Sequence, residues 1–157
     1  MIIKGIRDED FCQYKDPSFF IAFPRCTFKC EKESSKLCCQ NRELYKEEPI
    51  RVSSSDIVSR YMSNPITSAV VCGGLEPFDS FSDLFDLIEE FRKQTDDDIV
   101  IYTGYNEDEV AGYISALSRF SNIIVKFGRY VPDDIPHYDE VLGINLASQN
   151  QYAKKIS

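Results

Sequence analysis

The chain has 157 residues, 43% of them hydrophobic, and a formal charge of −8. That length fits one domain with a real core, and the acidic excess excludes a nucleic-acid surface as a first reading, because phosphate binding depends on clustered Lys and Arg. No apolar run approaches the length of a membrane span and the amino terminus lacks a cleavable leader, so a soluble cytoplasmic protein without a membrane partner is expected.

Taken in order, residues 1–7 read as an edge strand and residues 19–23, Phe-Phe-Ile-Ala-Phe, as the first clear strand. A polar loop at 24–42 follows. It gathers Cys26, Cys30, Cys38 and Cys39, four of the six cysteines, within fourteen residues. Thiols stay reduced in the cytoplasm, so this clustering points to metal ligation rather than disulfides, while the isolated Cys12 and Cys72 are assigned to the core.

Ser53, Ser54 and Asp56 open a helix that runs to about Asn64 and is stopped by Pro65, with a serine hydroxyl as cap and Asp56 at the positive end. Residues 67–72 are apolar and β-branched and end at Gly73-Gly74, which fits a buried strand and a tight turn. Asp79 or Ser80 is expected to cap the clearest helix, whose apolar residues Phe81, Leu84, Phe85, Leu87, Ile88 and Phe91 follow helical spacing. Asp96-Asp97-Asp98 lacks the ligand pattern of a calcium loop and reads as a solvated connection. A strand at 98–102 comes next. Asn106 and Glu109 form a capping-box pattern for a helix to about Arg119; residues 122–127 form another strand, 130–138 a loop and 140–146 a last short strand.

This alternation predicts an α/β chain with a parallel sheet and crossover helices. Five or six βα units fit the length, whereas a closed eight-fold barrel takes about 250 residues, so the expected architecture is a partial, TIM-like barrel in a single domain over 1–157. In such sheets ligands collect at the carboxyl ends of the strands. The cysteine loop, the Gly73-Gly74-Leu75-Glu76-Pro77 turn, Tyr102-Thr103-Gly104-Tyr105 and Phe127-Gly128-Arg129 all fall on that rim.

Cys26 and Cys30 with a third thiolate at Cys38 or Cys39 suit three irons of a [4Fe–4S] cluster, leaving the fourth open. All four cysteines equally suit a structural tetrahedral zinc. Phe28 and Tyr102 read either as shields of a reactive centre or as core. His137 reads as a surface residue rather than an acid or base, and no hydrolytic triad assembles around it. Lys126 and Arg129 suit a carboxylate ligand or a surface ion pair. The 31–36 segment reads as a solvated insertion or as a contact for a redox partner or protein substrate.

From about residue 19 to residue 151 the chain resembles radical S-adenosylmethionine (SAM) enzymes, and within them the small activating enzymes of glycyl radical proteins, of the anaerobic ribonucleotide reductase activase type. Cys26, Cys30, Cys39 and Asn41 match that family's Cys-x3-Cys-x2-Cys loop with its following Asn. Gly73, Gly74, Glu76 and Pro77 are similar to its Gly-Gly-Glu-Pro turn, residues 102–105 to its Tyr-Thr-Gly-Tyr strand end, and Ala147-Ser148-Gln149-Asn150-Gln151 to its Gly-Ser-Ser-Asn-Gln stretch. Two departures stand out: eight residues separate Cys30 from Cys39, and Leu75 is inserted between Gly74 and Glu76.

The resemblance implies a [4Fe–4S] cluster on Cys26, Cys30 and Cys39, with SAM held by Gly73, Gly74, Glu76, Tyr102, Thr103, Gly104 and Asn150. It implies reductive cleavage of SAM to a 5′-deoxyadenosyl radical, which installs a glycyl radical on a partner enzyme, with a flavodoxin-like electron donor. The alternatives are a radical SAM enzyme acting on a peptide or small molecule, and a non-catalytic zinc-stabilised binding module.

Overall fold

A computed structural model describes residues 1–157. The elements are β1 (Ile2–Ile3), β2 (Gly5–Asp10), β3 (Ser18–Phe23), α1 (Lys29–Ser34), α2 (Arg42–Lys46), β4 (Ile50–Arg51), α3 (Ser54–Met62), β5 (Ala69–Gly74), α4 (Phe81–Arg92), β6 (Asp98–Tyr102), α5 (Ala111–Leu117), β7 (Ile123–Phe127), β8 (His137–Asp139), β9 (Ile144–Leu146) and β10 (Tyr152–Lys155). Single 3₁₀ turns at Pro77–Ser80 and Glu107–Val110 lead into α4 and α5.

Six strands form an open sheet in the order β10-β7-β6-β5-β3-β2. Its middle four, β3, β5, β6 and β7, are parallel, and both edges are antiparallel. The parallel part therefore has four strands rather than five or six. The carboxyl-terminal strand β10, which pairs with β7 at Tyr152↔Phe127, had no counterpart in the sequence pattern. Its side chains are largely exposed, and two of its four residues are lysines, so it has no buried face to create a period-two signal. The expected strand at 140–146 is instead the second half of a hairpin, β8 pairing with β9.

The two faces of the sheet bury different things. Phe19, Ile21, Phe23, Val70, Cys72, Ile99, Ile101, Ile123, Val125 and Phe127 point into the larger core, against α3, α4 and α5. Helix α4 contributes Leu84, Leu87, Ile88 and Phe91, all fully buried, each worth about 1.5–3 kcal/mol of apolar burial. On the opposite face, Ala69, Val71, Val100 and Ile124 meet Tyr14, Leu142 and Leu146, which cover only the lower half of the sheet. Toward the carboxyl ends this face is left open, and the strand residues there, Phe20, Ala22, Gly73, Tyr102 and Lys126, border a cavity.

Ser53 caps α3, its hydroxyl accepting the Asp56 amide at 3.1 Å. Neither expected cap of α4 forms: Ser80 makes no side-chain cap, and Asp79 is engaged elsewhere. The 3₁₀ turn moves the start of the helical segment upstream to Glu76, whose carboxylate accepts from the Phe78 amide at 3.1 Å. Asp96, Asp97 and Asp98 are not merely solvated, since they accept from the hydroxyls of Ser121, Tyr61 and Tyr14 and so tie β6 to its neighbours. No helix of the structure is long and apolar enough to cross a membrane.

Candidate functional site

The cavity, of about 740 Å³, lies on the open face at the carboxyl ends of the parallel strands. Its wall includes Cys26, Cys30 and Cys39 from the loop after β3, Gly73, Gly74, Leu75 and Glu76 from the end of β5, and Tyr102, Thr103 and Gly104 from the end of β6. Of the ten cofactor and metal positions expected from the sequence, the nine other than Asn150 share a single chamber.

Asn150 does not border the cavity. Its side chain donates to the Arg129 carbonyl at 3.0 Å, and Gln151 takes the place on the wall, its Oε1 accepting the amides of Ala147 and Ser148. Phe28 also lies outside, its ring edge-on to Tyr45 at 5.0 Å, whereas Tyr102 lines the cavity with its hydroxyl bonded to the Gln13 carbonyl. His137 is half-buried in β8, away from the cavity, with no partner at Nδ1.

Glycine at the end of β5 is required by space. A β-carbon on Gly73 would sit 3.1 Å from the Phe20 ring, and Gly74 has φ +81° with Ala22 of the adjacent strand pressed against it. Removing Cβ here lets backbone form the chamber floor. The Gly74 carbonyl accepts from Asn41 Nδ2 at 2.6 Å, which fastens the cysteine loop to this turn. A second tie joins the Glu76 amide to the Arg25 carbonyl at 2.7 Å.

Asp79 makes a third tie: it accepts the Thr27 amide at 2.8 Å and the Tyr105 hydroxyl at 2.6 Å, so one carboxylate spans the cysteine loop and the end of β6. Its sequence position at a helix start suggested capping and hid this role. The 31–36 segment is likewise not merely solvated. Lys29 pairs with Glu109, Glu33 with Arg129 and Lys36 with Asp133, drawing α1 onto the β7 end of the rim. Arg129 is therefore an ion-pair residue, though a buried one, also bonded to Glu109 at 2.6 Å. Lys126 is buried and makes no ion pair, its Nζ donating to the Gly128 carbonyl at 2.9 Å.

The thiols differ in placement. Cys72 is fully buried as expected, but Cys12 is exposed and borders the cavity, because Asp10 Oδ1 accepts the amides of Cys12 and Gln13 and turns the chain outward after β2. Cys38 does not border the cavity, its sulfur lying 3.4 Å from Ser34 Oγ. Burial pushes the Cys26 thiol up to about 12, against the pull of the Phe28 amide on its sulfur, and raises Cys30, with Cys38 and Cys39 adding to the effect. Without metal these thiols hold their protons, so ligation must release them. No three His, Cys, Asp or Glu side chains converge as a cage for a single metal ion. Cys26, Cys30 and Cys39 all border the one cavity, and three thiolates are the kind of donor set that holds an iron–sulfur centre.

Two charged groups lie at the chamber floor. Burial holds the Glu76 carboxyl up at about 7, although hydrogen bonds from Gly104, Thr103 and Phe78 oppose it, and burial brings Lys126 down to about 8. In the folded protein Glu76 keeps its proton well above its ordinary 4.5, so its contribution to stability is complete below about 4.5 and is lost as pH rises through about 7. Lys126 loses its proton below its ordinary 10.5, so its contribution is complete above about 10.5 and is lost as pH falls through about 8. Denaturant unfolding of the metal-free protein should therefore pass through a stability minimum between these values, each limb amounting to about 3 kcal/mol. Glu76→Gln should remove the acid-side limb, and a profile unchanged by that substitution would contradict the assignment.

Fold and site together define an α/β protein with a thiol-bordered cavity at the carboxyl edge of a parallel sheet. Over residues 18–144 the chain matches the family model described as 4Fe-4S single cluster domain, and it belongs to that family. Iron–sulfur is accordingly the cofactor class of this site, and the family is compatible with redox enzyme activity. No curated protein and no solved structure matches the chain.

Proposed function

We propose that the protein is a radical SAM enzyme of the glycyl-radical-activating type, and that its open sheet is a partial barrel of the kind those enzymes use. The observation that carries this reading is the sharing of one chamber by Cys26, Cys30 and Cys39 with the Gly73–Glu76 turn and the Tyr102–Gly104 strand end. Its volume of about 740 Å³ falls within the range of small-molecule and cofactor sites. When bound, a [4Fe–4S] cluster with SAM at its open iron supplies one-electron cleavage of the sulfonium to methionine and a 5′-deoxyadenosyl radical.

Within this reading Cys26, Cys30 and Cys39 hold the three other irons. The bare floor at Gly73 and Gly74 admits the methionine portion of SAM, and Glu76 accepts from its ammonium, its carboxylate oriented by the Gly104 and Phe78 amides at 2.8 and 3.1 Å. Tyr102 and Thr103 continue the wall, and Asn150 supports it from behind through the Arg129 carbonyl. Asp79 and Asn41 keep the cysteine loop at a fixed distance from both strand ends. A site built of thiolates works in a reducing compartment, which supports a cytoplasmic location.

The substrate we infer is a glycine in a partner enzyme such as anaerobic ribonucleotide reductase, the electron arriving from a flavodoxin-like donor. Anaerobic reconstitution with iron and sulfide tests the reading. The expected product is a brown protein that, given a one-electron reductant, converts SAM to 5′-deoxyadenosine and methionine. A colourless protein retaining one zinc would establish the non-catalytic module instead. Cleavage of SAM without co-purification of any glycyl radical protein would favour a peptide or small-molecule substrate.

A further inference from the structure

The segment between Cys30 and Cys39 is too long for the two thiols to be neighbours by local geometry alone. Its first part is taken up by α1 (Lys29–Ser34), which ends at Ser35 in the left-handed conformation, φ 55°. The chain then reverses and must return with one of two adjacent cysteines beside Cys30.

We infer that Glu31 makes that choice: it is the positioning residue that selects Cys39 over Cys38 as the third thiolate. The inference rests on the cluster reading above. Glu31 directly follows Cys30, and its Oε1 accepts the Cys39 amide at 3.0 Å. Its Oε2 is paired with the Arg42 guanidinium. The Glu31 side chain is 11% exposed and the Arg42 side chain that it holds is 42% exposed, so the carboxylate is the inner half of this clamp. Because the two bonded partners, Cys39 and Arg42, bracket Gln40 and Asn41, the clamp gathers residues 30–31 and 39–42 into one unit, which Asn41 then fastens to Gly74.

Fixing the Cys39 amide toward Glu31 turns its sulfur to the chamber and leaves the preceding side chain on the other side. Cys38 accordingly lies against Ser34 and does not border the cavity. Two bonds to one part-buried carboxylate thus restore across a long insertion the spacing that a short loop would have by itself. Glu31→Gln keeps the oxygen that receives the Cys39 amide, whereas Glu31→Leu removes both bonds.

Thiol protection in the anaerobically loaded full chain tests this directly: free thiols are alkylated, mapped by mass spectrometry and compared with iron and sulfide content. With Glu31 present, Cys26, Cys30 and Cys39 should be protected and Cys38 labelled. Cys39→Ala should lose at least fivefold of the iron, and Cys38→Ala almost none. In Glu31→Leu protection should divide between Cys38 and Cys39, so that Glu31→Leu with Cys39→Ala holds at least threefold more iron than Cys39→Ala alone. Glu31→Gln should keep Cys39 protected. Full protection of Cys39 in Glu31→Leu, with no recovery of iron in the double variant, would overturn the inference.

Cys72, buried in the core, reports folding in the same experiment. Should Glu31→Leu expose it, Arg42→Gln decides from the other end of the clamp, and undivided protection of Cys39 there overturns the selection. A wild-type cluster with Cys38 protected defeats the selection alone. A wild-type protein holding zinc through all four thiolates defeats both the selection and the cluster reading.

Discussion

Cys39→Ala is expected to lose the iron–sulfur centre and, with it, about 100-fold or more of the SAM cleavage proposed above, while Cys38→Ala retains both within about twofold. The two cysteines are adjacent and chemically identical, so local composition offers no reason for unequal effects. The difference arises from direction. Cys39 borders the chamber with Cys26 and Cys30, and Cys38 rests against Ser34 outside it. In the proposed site, a cluster that loses one of its three thiolates has only two protein anchors. Iron and sulfide per chain, the visible spectrum of the oxidised centre and 5′-deoxyadenosine formation measure the outcome. Equal losses in the two variants would mean that both thiols are ligands, as a four-thiolate zinc site requires. Cys72→Ala should leave the centre in place, since Cys72 is enclosed in the core.

The second large effect is on the backbone beneath the site. Gly74→Ala should destabilise the metal-free protein by about 2–5 kcal/mol, combining a left-handed conformation that costs an ordinary residue about 1–2 kcal/mol with overpacking of about 1–3 kcal/mol. The new methyl carbon would stand 2.9 Å from the Cα and Cβ of Ala22 and 3.1 Å from Leu44 Cδ2, at φ +81°. Ala22 belongs to the neighbouring parallel strand, where backbone cannot give way without breaking the pairing of Ala22 with Gly73 and Phe23 with Gly74. A fall of about 10 °C in thermal midpoint is the corresponding shift for a chain of this size. Gly104→Ala is the control: its nearest contact would be Glu76 Oε2 at 3.7 Å, with no positive φ, so its cost should stay below about 1 kcal/mol. Equal stabilities for the two variants would remove the steric account of the β5 turn.

What could be read from residues alone was whatever repeats over a few positions. Strands β3, β5, β6 and β7 announce themselves as short apolar runs because both of their faces carry buried side chains, and α4 through the spacing of Leu84, Leu87, Ile88 and Phe91. The cysteine cluster, the paired glycines and the Tyr102–Gly104 segment were legible for a related reason: each stands at or just beyond the carboxyl end of a strand, and a parallel sheet brings those ends to one edge.

What depended on distant partners was not legible. Strand β10 exists because β7 offers it an unpaired edge, Cys12 faces the cavity because Asp10 turns the chain, and Asp79 binds Thr27 and Tyr105 instead of capping α4. Glu31 is the clearest case. In the chain it is one charge in a polar insertion, and only in the folded loop does its carboxylate meet the amide of Cys39 and the guanidinium of Arg42. Periodicity records which face of an element is buried, a property each element carries within itself. Which carboxylate finds which amide is set by the closing of long loops, and no short stretch of sequence holds that information.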